Sequence, residues 1–342
     1  MSRPNFQLTA GNAKDYLAQT GLVLPQEQIS IRELGGGVSN VVLLLEWPGR
    51  PGQRWVVKQS LGKLRVKDDW RSDRERIFRE ANSIQKLHAV LPRGSVPEVV
   101  HIDRQNFIFI MAAAPPGSAT WKDLLLSGQV DSAVAAEAGK LLASIIVKSR
   151  QDPDFQKLFE DRTVFDQLRI DPYYRTTAAR CPEAASALQE LMRDSWQIRT
   201  ALVHGDYSPK NILVLGSRIF LIDFEVVHWG DPAFDSGFLL NHLLLKAFHQ
   251  PQFAEIYLDA AGAFRKALVS GMGPAGAAAF ERMTVRHLGA LMLARIDGKS
   301  PVEYIQNDET KGKIRIAAKR ILLDPPQHLN HVFQSVLKES LA

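Results

Sequence analysis

The sequence is poor in cysteine and has no long apolar run. Cys181 is the single cysteine among 342 residues, so neither an intrachain disulfide nor a zinc site built on cysteine pairs is available. The most apolar stretches, "LLASIIV" and "FLLNHLLLKAF", are too short or too polar to span a bilayer. The N-terminal "MSRPNFQLTA" lacks the apolar core of a signal peptide. We therefore expect a protein of the reducing cytoplasm that does not enter a membrane.

Signatures of nucleic-acid binding are also missing. The formal net charge of +5 would suit a polyanionic ligand, but positive and negative residues are interleaved along most of the chain. There is no arginine-rich tail, no zinc-finger spacing and no RNA-binding aromatic motif. We expect a mildly basic, solvated surface and no nucleic-acid partner.

The chain changes character about a third of the way along. Residues 1–112 contain apolar segments typical of strands, such as "RWVVKQS" and "NFIFIMA", and one amphipathic helix over 73–91. After the Pro/Gly-rich "AAAPPGSATW", residues 113–342 follow a mostly helical pattern, interrupted by a hairpin signal in 201–224. This predicts an α+β protein with a strand-rich N-terminal lobe and a mostly helical C-terminal lobe around a cleft.

One loop carries the chemistry. The segment 202–213, "LVHGDYSPKNIL", sets polar residues among apolar ones, and its Asp206 and Asn211 would be costly to bury without partners. The hairpin that follows delivers Asp223 in "LIDFE". Amide and carboxylate oxygens suit Mg²⁺, and a spare carboxylate suits phosphoryl transfer from ATP. We predict that Asp206 accepts the proton of an attacking hydroxyl and that Asn211 and Asp223 hold Mg²⁺. The alternative is a hairpin with merely polar turn residues.

The N-terminal part has three features that fit a bound nucleotide. The glycine run in "ELGGGVSN" lies between predicted strands, where backbone N–H groups can approach phosphates. A strand lysine can reach the α- and β-phosphates, and a glutamate in the apolar stripe of the helix needs such a partner. A solvent-facing lysine and an ordinary edge strand at "FIFIMA" are the alternatives. The predicted nucleotide-binding residues are Gly35, Gly36, Gly37, Ser39, Asn40, Lys58, Glu80 and, through their backbone, Met111 and Ala113.

Together these motifs resemble the aminoglycoside phosphotransferase and choline kinase family, whose two-lobed fold is protein-kinase-like. The resemblance runs roughly from "ISIRELGGGVSN" to "GKSPVEY". It implies ATP-dependent phosphorylation of a hydroxyl on a sugar, amino sugar or amino alcohol. The family's His-Gly-Asp loop falls on residues 204–206, which implies that the aspartate is the base. The stretch "WGDPAFDSG" contributes Asp231 and Asp235, which brace the loop and the following helix or line the substrate site.

Several stretches are similar to methylthioribose kinases in particular. "IDFEVVHWGDPAFDSGFLLNHLLL" matches their pattern, which implies Glu225 as an additional metal ligand. "LMLARIDGKSPVEY" resembles the segment with their substrate-binding arginine pair, where this chain has Ala294 and Arg295. Arg295 is expected to bind substrate or to form a helix-end salt bridge. His228 and Trp229, just after the metal strand, are further candidates for substrate contact.

Other functions remain open on the sequence. A methylthioribose kinase is the narrower version of the predicted small-molecule O-kinase, and a non-catalytic nucleotide-binding regulatory protein would keep the same motifs. A protein kinase is disfavoured, because "DFE" stands where those enzymes have DFG and no Ala-Pro-Glu segment follows.

Overall fold

The computed structural model describes residues 6–35, 40–50, 52–62 and 73–341. Three residues of the predicted phosphate loop, Gly36, Gly37 and Ser39, lie outside these ranges. The chain forms two compact units, unit 1 up to Ser118 and unit 2 from Ala119 onward.

Unit 1 contains one antiparallel sheet and two helices. Its elements are α1 (Ala13–Gln19), β1 (Ser30–Glu33), β2 (Asn40–Glu46), β3 (Arg54–Ser60), α2 (Arg76–Val90), β4 (Val99–Asp103) and β5 (Ile108–Ala112). The strand order is β1-β2-β3-β5-β4, so that β3 lies in the middle of the sheet.

The two faces of β3 have different roles. Val57 packs into a buried core with Leu17 of α1 and Val41 of β2. Successive strand residues point to opposite faces of a sheet, so Lys58 is directed away from this core. There its ammonium group meets Glu80 of α2. The alternation of side chains along β3 thus places Lys58 opposite α2, which its own apolar stripe holds in position.

Unit 2 is mainly helical and has two small sheets. Its strands are β6 (Ala119–Thr120), β7 (Ala201–Val203), β8 (Ile212–Leu215), β9 (Arg218–Leu221) and β10 (His228–Gly230). Its helices are α3 (Trp121–Leu126), α4 (Ser132–Gln151), α5 (Pro153–Phe159), α6 (Thr163–Phe165), a π-helix (Asp166–Arg175), α7 (Thr176–Arg180), α8 (Ala185–Gln197), α9 (Ala233–His249), α10 (Ala254–Met272), α11 (Ala277–Asp297), α12 (Asp308–Leu323) and α13 (Leu329–Leu341). Strands β7 and β10 pair with each other, and β6, β8 and β9 form the second sheet.

The predicted α+β class and the predicted hairpin are both confirmed. Strands β8 and β9 are antiparallel and join through Gly216, whose φ of 60° suits a tight hairpin turn. The helix predicted over 73–91 is α2. In the described part of the chain, none of the helices combines the length and the apolarity that a bilayer crossing requires.

Close helix contact in unit 2 depends on small residues. At Gly139 of α4, an added Cβ would lie 2.3 Å from the carbonyl oxygen of Phe264 in α10. Real side chains do not approach a backbone oxygen so closely, so the two helices can pack at this distance only over a glycine. At Gly262, also in α10, an added Cβ would meet no atom within 4 Å.

These two glycines allow a matched test of the packing. We expect Gly139→Ala to lower the free energy of unfolding by roughly 1–3 kcal/mol, because the added methyl group overpacks the interface. Gly262→Ala should raise it by up to about 1 kcal/mol, because alanine favours the helix and nothing obstructs it. Urea unfolding of both variants checks this, and equal shifts in the same direction would contradict the described contact.

Candidate active site

The loop after β7 is fixed through its backbone by a buried carboxylate. Asp235, in the first turn of α9, accepts hydrogen bonds from the N–H groups of His204 (2.6 Å) and Gly205 (2.9 Å). Burial raises the pKa of Asp235 to about 7, although the two N–H groups oppose this. The carboxylate predicted to brace the loop therefore sets the position of two consecutive amides directly before Asp206.

His204 and Gly205 hold the loop by different means. The His204 Nδ1 accepts the N–H of Asp206 at 3.2 Å, and its Nε2 lies 3.1 Å from the carbonyl oxygen of Ile222. These partners place the proton on Nε2 of a neutral ring, and burial lowers the pKa of His204 to about 4. Gly205 has a φ of 77°, and an added Cβ there would lie 2.9 Å from the carbonyl oxygen of Val226, so that the loop requires glycine.

Asp206 has one oxygen that is held and one that is open. Its Oδ2 accepts Lys210 Nζ at 2.9 Å, Asn211 Nδ2 at 2.9 Å and Arg169 Nη2 at 3.1 Å. Its Oδ1 accepts no hydrogen bond from the described residues. Burial alone would raise the pKa of Asp206, but the charges of Lys210 and Arg169 outweigh it and lower the pKa. The carboxylate is therefore ionised, fixed by Oδ2 and able to accept a hydroxyl proton at Oδ1.

Arg169 is a residue of this site that the sequence reasoning missed. It lies on the π-helix and also donates from Nε to the carbonyl oxygen of Gly205 at 2.6 Å. It thus connects the side chain of Asp206 to the backbone of its own loop. Single π-helical turns occur frequently at functional sites. The available signal was Pro172, which interrupts a helical pattern three residues after Arg169.

The predicted metal ligands lie beside Asp206. Asn211 donates from Nδ2 to both the carbonyl oxygen (3.0 Å) and Oδ2 of Asp206, which leaves its amide oxygen for another partner. Asp223 follows β9 with a φ of 70°, a backbone conformation uncommon outside glycine that clusters at functional sites. Asp223 and Glu225 are both close enough to Arg169 to raise its pKa.

This donor set fits a hard divalent cation that shares its coordination with a ligand. Among the residues described, no group of three or more His, Cys, Asp and Glu side chains is arranged to hold a metal. An amide oxygen and one or two carboxylates are what Mg²⁺ takes from a protein when phosphate oxygens complete its shell.

In unit 1 the structure brings Lys58 and Glu80 together. The Lys58 Nζ lies 2.7 and 2.9 Å from the two carboxylate oxygens of Glu80, and the two residues are 5% and 0% exposed. The predicted adenine-binding backbone is partly occupied, because the N–H of Ala113 donates to the carbonyl oxygen of Arg54 at 3.0 Å. Met111 lies within β5, in register with Val56 of β3.

Three predicted substrate residues have partners within the protein. The ring of His228 stacks on Phe165 with a centroid distance of 3.9 Å, and Trp229 is buried and donates to the carbonyl oxygen of Arg199 at 3.0 Å. Asp231 accepts the Ala233 N–H at 3.0 Å and lies 3.0 Å from His287 Nε2. Substrate contact by His228 and Trp229, both on β10, stays a prediction. Asp231 braces the start of α9.

Arg295 differs from these three. Its Nη1 donates to the hydroxyl of Tyr173 at 3.1 Å and to the carbonyl oxygen of Ser300 at 2.5 Å. Within the described ranges no carboxylate forms an ion pair with it, and both readings of Arg295, substrate contact and helix-end salt bridge, stay predictions. The charges of Asp206 and Arg295 both influence the pKa of the Tyr173 hydroxyl.

Comparison with known proteins gives a family match over most of the chain. Residues 30–274 match the model of the "Phosphotransferase enzyme family". Methylthioribose kinase 2 of Oryza sativa subsp. japonica is 27% identical over 258 residues, which are 67% of this chain and 59% of that protein. Methylthioribose kinase of Yersinia pseudotuberculosis is 25% identical over 273 residues, 72% of this chain and 66% of that protein. The match thus spans less than two thirds of these relatives.

Solved structures show the same fold at low sequence identity. The macrolide 2'-phosphotransferase of Brachybacterium faecium has a TM-score of 0.51 at 18% identity, covering 92% of this chain and 99% of that one. An amicoumacin kinase has a TM-score of 0.52 at 16% identity, covering 93% and 96%.

The neutral state of His204 makes the loop sensitive to acid. Its pKa falls from the ordinary 6.5 to about 4 on folding, so the folded protein binds fewer protons than the unfolded chain between these values. The stabilisation is complete above pH 6.5 and is lost as the pH falls to about 4. Relative to His204→Asn, the wild type should lose about 2–3 kcal/mol of unfolding free energy between about pH 7.5 and pH 4.5.

Urea unfolding of both proteins at each pH measures this difference. Asp235 is present in both proteins, so its opposite titration cancels in the comparison. A difference between wild type and variant that stays constant with pH would show that His204 is not held neutral by the fold.

Proposed function

Because this chain belongs to the phosphotransferase enzyme family, we propose that it is an ATP-dependent kinase that phosphorylates a hydroxyl group of a small molecule. The geometry of Asp206 carries the proposal. Three donors fix Oδ2 and leave Oδ1 for an incoming hydroxyl. A buried carboxylate with one oxygen fixed and the other open suits a base that orients an alcohol.

In the proposed reaction the acceptor hydroxyl donates its hydrogen bond to Oδ1 of Asp206. As the bond between the hydroxyl oxygen and the γ-phosphorus forms, the bond from that phosphorus to the β,γ-bridging oxygen breaks. The hydroxyl proton passes to Asp206 and ADP leaves. Arg169 and Lys210 keep the carboxylate ionised and correctly oriented. Most of the rate enhancement then comes from positioning and from electrostatic stabilisation.

Unit 1 supplies the nucleotide contacts in this proposal. Lys58, oriented by Glu80, binds the α- and β-phosphates in this proposal. Of the predicted phosphate-binding segment Gly35–Asn40, residues 36–39 lie outside the described residues. The connector at Met111 and Ala113 holds the adenine, with the carbonyl groups as acceptors because the Ala113 N–H is already engaged.

Unit 2 supplies the metal and acceptor sites in the same proposal. Asn211 and Asp223, with Glu225 as a further candidate, would hold Mg²⁺, which when bound neutralises charge on the phosphates. Arg295 belongs to the acceptor site. The curated relatives make methylthioribose the narrower candidate acceptor, while Ala294 beside Arg295 leaves a single guanidinium there.

Replacing the base is the direct test of this function. Asp206→Asn keeps the size of the side chain and removes its proton-accepting charge, so acceptor-dependent ADP release should fall by about 10²- to 10⁴-fold. Asp194→Asn, which changes an exposed carboxylate, is the control. The readout is coupled ADP detection with Mg-ATP and an acceptor panel. Unchanged turnover in Asp206→Asn would contradict the mechanism, and nucleotide binding without turnover on any acceptor would favour a regulatory protein.

Variants of the Lys58–Glu80 pair distinguish its contribution to stability from its contribution to nucleotide binding. Lys58→Met removes the ammonium group that pairs with the buried carboxylate of Glu80 and should lower the free energy of unfolding by about 3–5 kcal/mol. Lys58→Met with Glu80→Met removes both charges and should restore most of this loss. ATP binding should be weak in both variants, because both lack the ammonium group that the proposal places on the α- and β-phosphates. Normal ATP affinity in the double variant, measured by calorimetry, would show that the pair is purely structural.

A further inference from the structure

Unit 2 contains three neighbouring cationic or titratable side chains that form no ion pair with a carboxylate of the described residues. Lys246 of α9 is 0% exposed, and among the described residues its Nζ donates to the carbonyl oxygen of His242, one turn earlier, at 3.3 Å. His242 and Arg295 keep part of their surface accessible. Neither Lys246 nor Arg295 has an ion pair with any described Asp or Glu. We call His242, Lys246 and Arg295 the α9–α11 cation cluster.

The surroundings of the cluster leave hydrogen-bonding capacity unused. Arg295 Nη1 has only neutral acceptors, and its Nε is buried without a hydrogen-bond partner in the described part of the chain. The hydroxyl of Tyr304 is likewise buried without a partner, and its ring centroid is 5.1 Å from Lys246 Nζ. Buried donors without acceptors are costly, so an incoming acceptor would satisfy several groups at once.

The local charge balance is positive. Glu303 interacts electrostatically with Lys246, but it already forms an ion pair with Lys122. Burial, followed by the charges of Lys122 and Arg295, lowers the pKa of Lys246 to about 7. Burial, followed by Arg295 and Lys246, holds the pKa of His242 well below its usual range. His242 is therefore neutral, the positive charges of Arg295 and protonated Lys246 oppose each other, and a bound anion would relieve that repulsion.

A short series of contacts connects the cluster with the proposed base. Arg169 Nη2 lies 3.1 Å from Asp206 Oδ2, and its guanidinium carbon lies 5.8 Å from the ring centroid of Tyr173. The Tyr173 hydroxyl in turn accepts Arg295 Nη1 at 3.1 Å. The ring of Phe238 lies 5.8 Å from that of Tyr173 and 5.4 Å from that of His242. The cluster and the base therefore border the same part of unit 2.

We propose that the hydroxyl acceptor carries an anionic group, a carboxylate or a phosphate, which binds at the α9–α11 cation cluster while its hydroxyl meets Asp206. This assignment rests on the proposed kinase activity. Arg295 and His242 contact the anion directly, and the buried Lys246 adds positive charge in a medium of low dielectric constant. A packing role does not account for Lys246, because an apolar side chain of similar length is usually at least as stable at a buried, unpaired position.

Acceptors that differ by the presence of a carboxylate or phosphate group give the first measurement. ADP release is followed with glycerol, D-glycerate and glycerol 3-phosphate, with ribose and ribose 5-phosphate, and with choline and 5-methylthioribose. We expect an anionic member of a matched set to exceed its neutral counterpart in kcat/KM by roughly tenfold or more, the gain of a charge-assisted contact. The carboxylate and phosphate members distinguish the two anion types. The proposal is overturned if the wild type has a higher kcat/KM for a neutral or cationic alcohol and Lys246→Met shows the same preference.

Variants of the cluster give the second measurement. Lys246→Met should raise KM for the anionic acceptor roughly tenfold, with thermal stability equal to or above that of the wild type. Lys246→Arg should retain most of the affinity, and Lys157→Met, at an exposed lysine, should change neither quantity. A Lys246→Met protein that is less stable but has an unchanged KM would show that the lysine is structural and would overturn the proposal.

If no acceptor supports turnover, the binding of D-glycerate and ribose 5-phosphate is measured by calorimetry. Tighter binding to the wild type than to Lys246→Met would support the anion site while the kinase proposal failed. Equal affinity for the two proteins would overturn the anion site. The Asp206→Asn measurement tests the kinase activity independently, so the two failures are distinguishable.

Discussion

The ionised carboxylate of Asp206 is the group on which the rest of the site depends. A buried negative charge needs compensation, and here three donors from two separate segments of unit 2 converge on a single oxygen. Because all three donors contact Oδ2, Oδ1 is left open to accept a hydrogen bond from a substrate hydroxyl. If the donors were divided between the two oxygens, the charge would be equally well compensated, but no position would be open for a substrate hydroxyl.

The backbone that presents this carboxylate is constrained at several points. Asp235 fixes two amides, a neutral His204 accepts a third, and Gly205 adopts a conformation that a side chain would obstruct. The contacts of Asp235 join the loop to α9, and Nε2 of His204 joins it to Ile222 in the segment after β9. The backbone of this short loop is therefore held in place like that of the neighbouring helices, which suits a site that acts by positioning.

The sequence predicted those parts of the site whose residues lie close together in the chain or follow a period. Asp206, Asn211 and Asp223 are arranged by one loop and one hairpin, and Glu80 was indicated by its place in an apolar stripe. Arg169 could not be found in this way, because it reaches Asp206 across a long sequence separation from a π-helix. His228 and Trp229 were assigned to the substrate by proximity in sequence alone, and both are buried on β10, which pairs with β7.

The same reasoning explains why the proposed acceptor site was the least predictable part. The residues that we assign to it come from the π-helix, α9, α11 and the segment that follows α11, and the charge of a helix residue does not reveal whether a partner neutralises it. Lys246 resembles an ordinary lysine near the end of a helix until its burial is known. The net charge of the whole chain carries no information about such a local excess.

The structure of the protein with Mg²⁺, a non-hydrolysable ATP analogue and an acceptor that supports turnover tests the central claim most directly. Our account predicts the acceptor hydroxyl oxygen within hydrogen-bond distance of Asp206 Oδ1, with Arg169, Lys210 and Asn211 still on Oδ2. A hydroxyl bound to another group, or an Asp206 whose two oxygens are both occupied by protein donors, would contradict it.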